Sequence, residues 1–188
     1  ARGFDTVTAN SPGNGDTYAY LHDSSGIDAL TASPASAIMD RAAPWPDATA
    51  TGFKQVFASS IRGGDDTAEL TGSSTGGNRY HGYPTYSTLT DTANSFYHDV
   101  RGFRSVKATG SQTDTANDRA YLYDSPGDDT FYGRVDSAIL KDTAESVYHN
   151  EALYFDLVYA SSTDNDADTD DTVDVENLAY NLIRMGTW

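Results

Sequence analysis

The hexapeptide Phe-Arg-Ser-Val-Lys-Ala at 103–108 is one of four related segments in this chain of 188 residues. The other three begin at Phe4, Phe53 and Phe155, so the four phenylalanines lie 49, 50 and 52 residues apart. A period of this length is typical of repeat proteins, in which each copy is one supersecondary unit stacked on its neighbours. The sequence therefore predicts a single repeat array that covers 1–188, and not a domain built around one pocket.

Each copy contains short segments in which apolar and polar residues alternate. In the third copy, Arg119-Ala120-Tyr121-Leu122 follows the first strand, and Ile139-Leu140-Lys141-Asp142 comes after two further turns. Alternation with a period of two, interrupted by Gly, Pro, Asn and Asp, predicts short strands and an all-β fold. The predicted units are 4–52, 53–102 and 103–154, with a partial unit at 155–175 and a cap at 176–188.

Two β architectures have repeats near this length, the β-propeller and the β-solenoid. A propeller closes into a ring of about four to eight blades, whereas this chain holds three full copies and part of a fourth. A parallel β-solenoid, or β-helix, has no ring to close, so we expect this architecture. A β-sandwich of the same strands and a set of propeller-like blades remain as alternatives.

The last part of the sequence predicts a capping element. Val175, Leu178, Ala179, Leu182 and Ile183 have the spacing of the apolar face of a helix. An open stack exposes its last rung, and repeat proteins cover such an end with an atypical terminal unit. We therefore expect a helical cap at the C-terminal end. The alternative is a helix that docks onto another protein.

The charge of the chain narrows the classes of partner. Twenty-eight acidic residues against twelve basic ones give a formal net charge of −16. Nucleic acids and anionic membranes bind basic surfaces, so neither is an expected partner. The chain has no cysteine, which excludes disulfides and thiolate metal sites, and no apolar run is long enough to span a bilayer. An acidic surface favours cations and keeps a protein soluble.

Two acidic turns are the strongest candidates for a metal site. The segments 23–30 and 124–131 both contain Gly-x-Asp-x followed by an apolar residue, whereas the second copy has Gly-Gly-Asn-Arg-Tyr at 76–80. Gly permits the tight corner and the Asp carboxylate suits calcium, although Asp also forms simple Asx-turns at such corners. The candidate calcium ligands in these turns are Asp23, Asp28, Asp124, Asp128 and Asp129.

A denser acidic cluster lies at 164–171, where carboxylates occur at every second position. It is not an EF-hand, because Thr169 stands where that loop needs Gly and Val175 stands where it needs Glu. The sequence leaves two interpretations open, a weak calcium site and a solvated acidic loop. The candidate ligands in this cluster are Asp164, Asp166, Asp168 and Asp170.

The units resemble two kinds of known repeat. Gly-Phe-Arg-Ser-Val-Lys-Ala at 102–108, Ala-Tyr-Leu-Tyr-Asp-Ser-Pro-Gly-Asp-Asp-Thr-Phe at 120–131 and the terminal Gly-Thr-Trp are similar to the C-terminal repeats of very large secreted proteins from planctomycete-type bacteria. The acidic turns resemble, in part, the calcium-binding β-rolls of RTX proteins. The first resemblance covers nearly the full chain. It implies an extracellular or cell-surface location, with other modules of a larger secreted chain as partners.

Aromatic residues outside the repeat pattern suggest a polysaccharide ligand. Exposed aromatic rings stack on sugars, and three tyrosines lie close together at 79–86, while Trp45 stands where other copies carry Phe96 or Val147. The alternative is that tyrosines fill and flank the rungs of the solenoid. The candidate glycan-binding residues are Trp45, Arg79, Tyr80, His81, Tyr83 and Tyr86.

The histidines favour a structural role. Tyr97-His98 and Tyr148-His149 occupy similar places in successive copies. Catalysis needs a constellation once, whereas a stack needs the same residue at each level, so we assign no catalytic residue. The sequence does not decide whether the chain is an enzyme. It predicts a secreted structural or adhesion module, stabilised by calcium and able to self-assemble, with a carbohydrate-binding module as the alternative and a polysaccharide lyase as the third candidate.

Overall fold

The computed structural model describes residues 5–13, 15–75, 77–112, 117–144, 146–162, 171–186 and 188. These residues form eighteen strands and no helix. The all-β prediction is therefore confirmed for the described part of the chain.

Each full repeat contributes five strands, and the fourth repeat contributes three. The first repeat contains β1 (Thr6–Asn10), β2 (Tyr18–His22), β3 (Ala29–Ser33), β4 (Ser36–Asp40) and β5 (Asp47–Thr51). The second contains β6 (Gln55–Ser59), β7 (Thr67–Thr71), β8 (Asn78–Gly82), β9 (Tyr86–Asp91) and β10 (Tyr97–Arg101). The third contains β11 (Ser105–Thr109), β12 (Arg119–Tyr123), β13 (Asp129–Gly133), β14 (Ser137–Asp142) and β15 (His149–Leu153). The fourth contains β16 (Leu157–Ser161), β17 (Thr172–Val175) and β18 (Asn181–Met185).

The strands form two sheets. The first sheet has ten strands in the order β1-β5-β4-β3-β7-β11-β15-β14-β13-β17, and the second has eight in the order β18-β16-β12-β8-β9-β10-β6-β2. Successive coils pair in parallel, as β2 does with β6 and β7 with β11. The predicted parallel β-solenoid is confirmed.

Every full repeat also contains an antiparallel meander, formed by β3–β4–β5, β8–β9–β10 and β13–β14–β15. The third strand of each meander was not predicted from the sequence. In β10, for example, the inner position is taken by His98, and in β15 by Asn150, both of them buried. Strands with polar residues on the inner face lack the apolar alternation by which strands are recognised.

The meander makes equivalent strands of successive repeats change sheets. The Phe-x-x-Val-x-Ala strand lies in the first sheet as β1 and β11, and in the second sheet as β6 and β16. Equivalent strands of the first and third repeats therefore lie in the same sheet, and the equivalent strand of the second repeat lies in the other sheet. The sequence period is about fifty residues, but the structural period is two repeats.

The core lies where the inner faces of the two sheets meet. Buried and outward-facing residues alternate, as in β12, where Ala120 and Leu122 are buried and Tyr121 faces outward. Large side chains fill the same inner position in β3, β8 and β13, where the residues are Leu30, Tyr80 and Phe131. Burial of such side chains supplies most of the stabilisation of the stack.

The predicted C-terminal helix is wrong. Val175 lies in β17, and Leu182 and Ile183 lie in β18; the two strands extend the sheets by pairing in parallel with β13 and β16. Val175 and Ile183, which the helix would have buried, remain about two-fifths exposed. The strand is favoured because it satisfies the backbone groups that the edge of β16 would otherwise leave open.

Candidate metal centre

Three buried carboxylates meet at a corner between the sheets. Asp23 directly follows β2, Asp28 directly precedes β3, and Asp66 directly precedes β7 on the neighbouring coil. Each residue contributes one carboxylate oxygen, and these three oxygens all lie within 4.8 Å of one another. All three residues are at most 2 % exposed. We call this cluster the first-repeat triad.

Hydrogen bonds fix the positions of Asp28 and Asp66. Asp28 accepts from the backbone N–H and the hydroxyl of Ser24, at 2.6–3.0 Å, and from the N–H of Ala42 at 2.6 Å. Asp66 accepts from the N–H of Asp28 at 2.7 Å and from the hydroxyl of Ser60 at 2.6 Å. The carboxylates are therefore held in place by the turns around them, not by each other.

Asp23 is bonded through only one of its two oxygens. Oδ2 accepts from the backbone N–H groups of Ile61 and Arg62, at 2.8 and 2.5 Å. Oδ1 is buried and has no hydrogen-bond partner among the described residues. A buried carboxylate oxygen without a partner is unfavourable, so Oδ1 is the oxygen left to receive a ligand.

Burial and mutual repulsion make three negatively charged carboxylates in the triad unfavourable. Burial raises the pKa of Asp66, and the charges of Asp28 and Asp23 raise it further, while the hydrogen bonds from Ser60 and Asp28 lower it. Carboxylates that crowd together in this way need a proton or a cation to balance them. Oxygen ligands alone are the set that hard cations such as Ca²⁺ prefer.

The second repeat builds the same corner without three carboxylates. The positions of Asp23 and Asp28 are taken there by Gly72 and Asn78, and Asp118 corresponds to Asp66. The side-chain amide of Asn78 donates to Asp118 Oδ2 at 2.9 Å. A direct hydrogen bond therefore joins the two coils where the first repeat brings carboxylates together.

The third repeat has the acidic residues again, in Asp124, Asp129 and Asp171. Here the hydroxyl of Tyr148 donates to Asp129 Oδ1 at 2.8 Å. Burial raises the pKa of Asp129 to about 6, with the charge of Asp124 acting in the same direction against the hydrogen bonds from Tyr148 and Ser125. The third repeat thus supplies a protein donor to a carboxylate that resembles Asp28 in position.

One contact recurs at all three corners. Asp66, Asp118 and Asp171 each accept, at 2.5–2.9 Å, the backbone N–H of the residue at which the turn before the third strand of the preceding repeat ends. Sequence analysis did not single out these three aspartates. The signal was present, because each stands directly before the second strand of its repeat.

The predicted metal ligands do not all lie in one place. Asp23 and Asp28 come together with Asp66, and Asp124 and Asp129 occupy the equivalent corner of the third repeat. Asp128 lies on the exposed side of its turn. The remaining predicted ligands, Asp164, Asp166, Asp168 and Asp170, lie outside the described residues.

The six candidate glycan-binding residues do not form one site. Tyr80 is fully buried, and its hydroxyl donates to Asn150 at 3.1 Å and to Ser87 at 3.3 Å. The alternation of β8 turns Tyr80 inward, whereas Arg79 and His81 face outward. A ligand in solvent therefore cannot reach Tyr80.

Trp45 lies near the first-repeat triad and not in the tyrosine cluster. Its backbone N–H donates to the carbonyl of Ala42, whose own backbone N–H donates to Asp28. The guanidinium of Arg62 lies 5.8 Å from the centre of the Trp45 ring. Trp45 is 37 % exposed, so it is placed to report on changes at this corner.

Tyr83 and Tyr86 belong to a stack of aromatic rings on the second sheet. The ring centre of Tyr83 lies 4.2 Å from that of Tyr123 and 4.4 Å from that of Tyr86, with interplanar angles of 2° and 14°. Tyr83 therefore presents ring edges to the solvent, because both its faces contact other rings. Sugar stacking needs an open ring face, so this arrangement favours a structural role for Tyr83.

His81 is part of a second aromatic stack. Its ring centre lies 4.5 Å from that of Tyr121, which in turn lies 4.8 Å from that of Tyr159, at angles of 10° and 2°. These residues occupy matching positions on the parallel strands β8, β12 and β16. Burial lowers the pKa of His81, and the charge of Arg79 lowers it further.

His98 and His149 do not occupy equivalent positions. His98 in β10 and Asn150 in β15 occupy equivalent positions on the inner face, and His149 lies one residue away on the outer face. A shift of one residue reverses the face of a strand. His98 Nε2 contacts the carbonyl of Ser33 at 3.1 Å, and Asn150 donates to the carbonyl of Tyr83 at 3.0 Å. The residue at this inner position therefore bonds the second and third meanders to the hairpin of the preceding meander.

We expect the His98→Asn variant to lose less stability than the parent chain when the pH falls from 7 to 4. Burial lowers the pKa of His98 to about 4, so the folded chain keeps it neutral while the unfolded chain protonates it below its ordinary pKa. As the pH falls from 6.5 to 4, protonation of His98 in the unfolded chain should lower the free energy of unfolding by about 3 kcal/mol. Asparagine serves at the equivalent position in β15, so the variant keeps a donor for Ser33.

Urea denaturation of the parent chain and the His98→Asn variant at pH 7, 6, 5 and 4 measures this effect. The difference in the free energy of unfolding between the two proteins should shift in favour of the variant as the pH falls. An identical pH dependence for both would show that His98 does not titrate in this way.

Comparison with known proteins finds no match: no family model, no curated protein and no solved structure matches this chain. Among the described residues, no helix is long and apolar enough to cross a membrane. The function must therefore be argued from the residues themselves.

Proposed function

We propose that this chain is a non-catalytic structural or adhesion module of a larger secreted bacterial protein, stabilised by calcium. The observation that supports this most strongly is the repeated use of aspartate carboxylates between coils. Asp66, Asp118 and Asp171 make the same backbone contact at successive levels. A stack needs the same residue at every level, whereas a catalytic site needs its residues once.

The proposed location outside the cell has two supports. The sequence resembles the C-terminal repeats of large secreted bacterial proteins, where such units follow other modules. The net charge of −16 keeps an extended module soluble and attracts divalent cations, which are abundant outside cells. The partners proposed for the chain are therefore the other modules of its own protein.

Self-association is part of the proposal. Among the described residues, β2 pairs only with β6 and β18 pairs only with β16, so that each end of the second sheet has an open edge. Open strand edges are templates for pairing with another chain. The ends differ from each other, so such a contact would be head-to-tail and would produce fibres.

Calcium is expected to raise the thermal stability of the chain. A ligand at one hundred times its dissociation constant stabilises the folded state by about 2.7 kcal/mol, which raises the midpoint of a domain of this size by about 5–10 °C. The measurement is thermal unfolding of metal-stripped protein with and without millimolar calcium. Sodium chloride at the same ionic strength separates specific binding from screening of the net charge. A midpoint that calcium and sodium chloride raise equally would contradict calcium stabilisation.

A carbohydrate-binding role is the second candidate, because one aromatic side chain is far more exposed than the stacked tyrosines. Tyr20 on the edge strand β2 is 65 % exposed and contacts Phe57 at a ring-centre distance of 5.2 Å. Tyr18 on the same strand is 49 % exposed. Screening the chain against soluble polysaccharides decides between the two functions. Binding that is lost in Tyr20→Ala and kept in Trp45→Ala would favour the second.

A further inference from the structure

We infer that the first-repeat triad holds one hard divalent cation, which joins two neighbouring coils, and that the second repeat makes the equivalent joint with a side-chain amide instead. The inference rests on the calcium dependence proposed above and assigns it to Asp23, Asp28 and Asp66. It follows from the burial of the three carboxylates, from an oxygen without a partner, and from a comparison between two repeats of the same molecule.

The burial of the triad requires a cation or a proton to balance its negative charges. Asp23, Asp28 and Asp66 are at most 2 % exposed, and their oxygens approach within 4.8 Å. Among the hydrogen bonds and ion pairs of the described residues, none pairs these carboxylates with a Lys or Arg side chain; Arg62 binds Asp23 through its backbone N–H. Buried carboxylates without a counter-charge are strongly unfavourable, and a cation between them removes the repulsion.

The partnerless oxygen of Asp23 belongs to this same cluster. Its Oδ2 is occupied by the N–H groups of Ile61 and Arg62, whereas Oδ1 is enclosed and accepts nothing. A bound cation supplies the missing partner of Oδ1.

The second repeat shows what the corner looks like when no cation is needed. Asn78 keeps the turn contact, because its Oδ1 accepts from the N–H of Ser73 at 2.7 Å, as Asp28 accepts from Ser24 at 2.6 Å. Its Nδ2 then donates to Asp118 at 2.9 Å. The second repeat thus lacks two of the three carboxylates, because Gly72 and Asn78 replace Asp23 and Asp28, and the amide of Asn78 makes a direct bond across the coils.

The ligand atoms define the class of cation. The triad offers carboxylate oxygens and contains neither histidine nor cysteine, which favours Ca²⁺ or Mg²⁺ over zinc and copper. Mg²⁺ retains several of its waters, whereas Ca²⁺ accepts more protein oxygens in flexible geometry. A buried corner with three carboxylates therefore suits Ca²⁺ better than Mg²⁺.

The test compares Asp23→Asn with the equivalent change in the third repeat, Asp124→Asn. In Asp23→Asn, the amide oxygen can still accept from Ile61 and Arg62, and the new NH₂ group replaces Oδ1 and faces the remaining carboxylates. Calorimetric titration of the metal-stripped full chain with CaCl₂, and separately with MgCl₂, gives the stoichiometry. Thermal unfolding gives the stabilisation, and tryptophan emission, to which Trp45 and Trp188 both contribute, gives a further signal of changes near Trp45.

The parent chain and Asp124→Asn are expected to bind one calcium ion at this site and to gain thermal stability, whereas Asp23→Asn should lose both effects. Asp66→Asn, in which Ser60 can accept from the new amide, serves as the second variant if Asp23→Asn does not fold. A calcium response that survives in both Asp23→Asn and Asp66→Asn would overturn the assignment to this triad and leave calcium stabilisation itself intact. A parent chain without any calcium response would overturn both.

Discussion

Replacing Phe131 by alanine is expected to lower the free energy of unfolding by about 3–5 kcal/mol. Phe131 is fully buried at the centre of β13, and its ring meets that of Trp188 edge-on at a centre distance of 6.1 Å. Removing it leaves a cavity that the two sheets cannot close without shifting their register. Chemical denaturation monitored by circular dichroism measures the loss.

Two further variants serve as controls for this prediction. Phe131→Leu should cost less than Phe131→Ala, because Leu30 already fills the same inner position in the first repeat. Val135→Ala should change the free energy of unfolding by at most about 0.5 kcal/mol, since Val135 is 52 % exposed. Equal losses for Phe131→Ala and Val135→Ala would contradict a core between the two sheets.

Gly102→Ala is expected to destabilise the chain by about 2–5 kcal/mol. Gly102 has a φ of 75°, in the left-handed region that favours glycine, and a Cβ atom at this position would overlap the carbonyl oxygen of Ser60 on the neighbouring coil. The cost therefore has two parts, the strained backbone and the collision with a backbone atom that cannot move away.

Gly13→Ala separates these two parts. Gly13 has a similar φ of 78°, but a Cβ atom there would meet nothing within 4 Å. It should cost no more than about 1–2 kcal/mol. Thermal and urea unfolding of both variants measures the difference, and equal effects would mean that the coils are not as closely stacked at Gly102 as described.

The third repeat shows how the same corner accommodates a side chain. Tyr154 stands where the second repeat has Gly102, with a φ of 59°. The facing coil then has Gly110 in the place of Ser60, and a Cβ atom at 110 would collide with the carbonyl oxygen of Tyr154. Each of these two corners thus has glycine on one of its two facing coils, which supports the close approach on which the second prediction depends.

The sequence was sufficient to predict the repeats and most of the strands. The period of the Phe-x-x-Val-x-Ala segments gave the array, and apolar alternation identified strands such as β2, β7 and β12. Strand β5 was missed although Ala48 and Ala50 alternate with polar residues there. Strands β10 and β15 were missed because the polar residues His98 and Asn150 occupy inner positions there. Their partners, Ser33 and Tyr83, lie 65 and 67 residues away along the chain, so the bonds that favour these inner residues are not visible locally.

Only part of the candidate metal centre was predicted, again because some of its residues lie far apart in the sequence. Asp23 and Asp28 share one turn, so their pattern was readable, but Asp66 comes from the next coil and meets them only after folding. The change of sheets between repeats was also missed. The acidic turn follows the same period of two repeats, because it occurs in the first and third copies and Asn78 stands in the second.

The helix predicted near the C-terminal end failed for a different reason. The spacing of Leu178, Leu182 and Ile183 fits a helix, but an open sheet edge is a stronger determinant than a weak local pattern. In β18, Leu182 packs against the core and Ile183 faces outward. Local periodicity cannot anticipate such pairing with a distant strand.

Amide hydrogen exchange of the metal-stripped full chain, with and without calcium, tests the central claim most directly. The account predicts that calcium slows exchange in the two stacked turns at 23–28 and 60–66, whose amides at Ser24, Ile61 and Arg62 bind the triad. The equivalent turn of the second repeat, at 72–78, should exchange equally fast in both conditions. Calcium-dependent protection that leaves 23–28 and 60–66 unchanged, or no protection anywhere, would contradict the account.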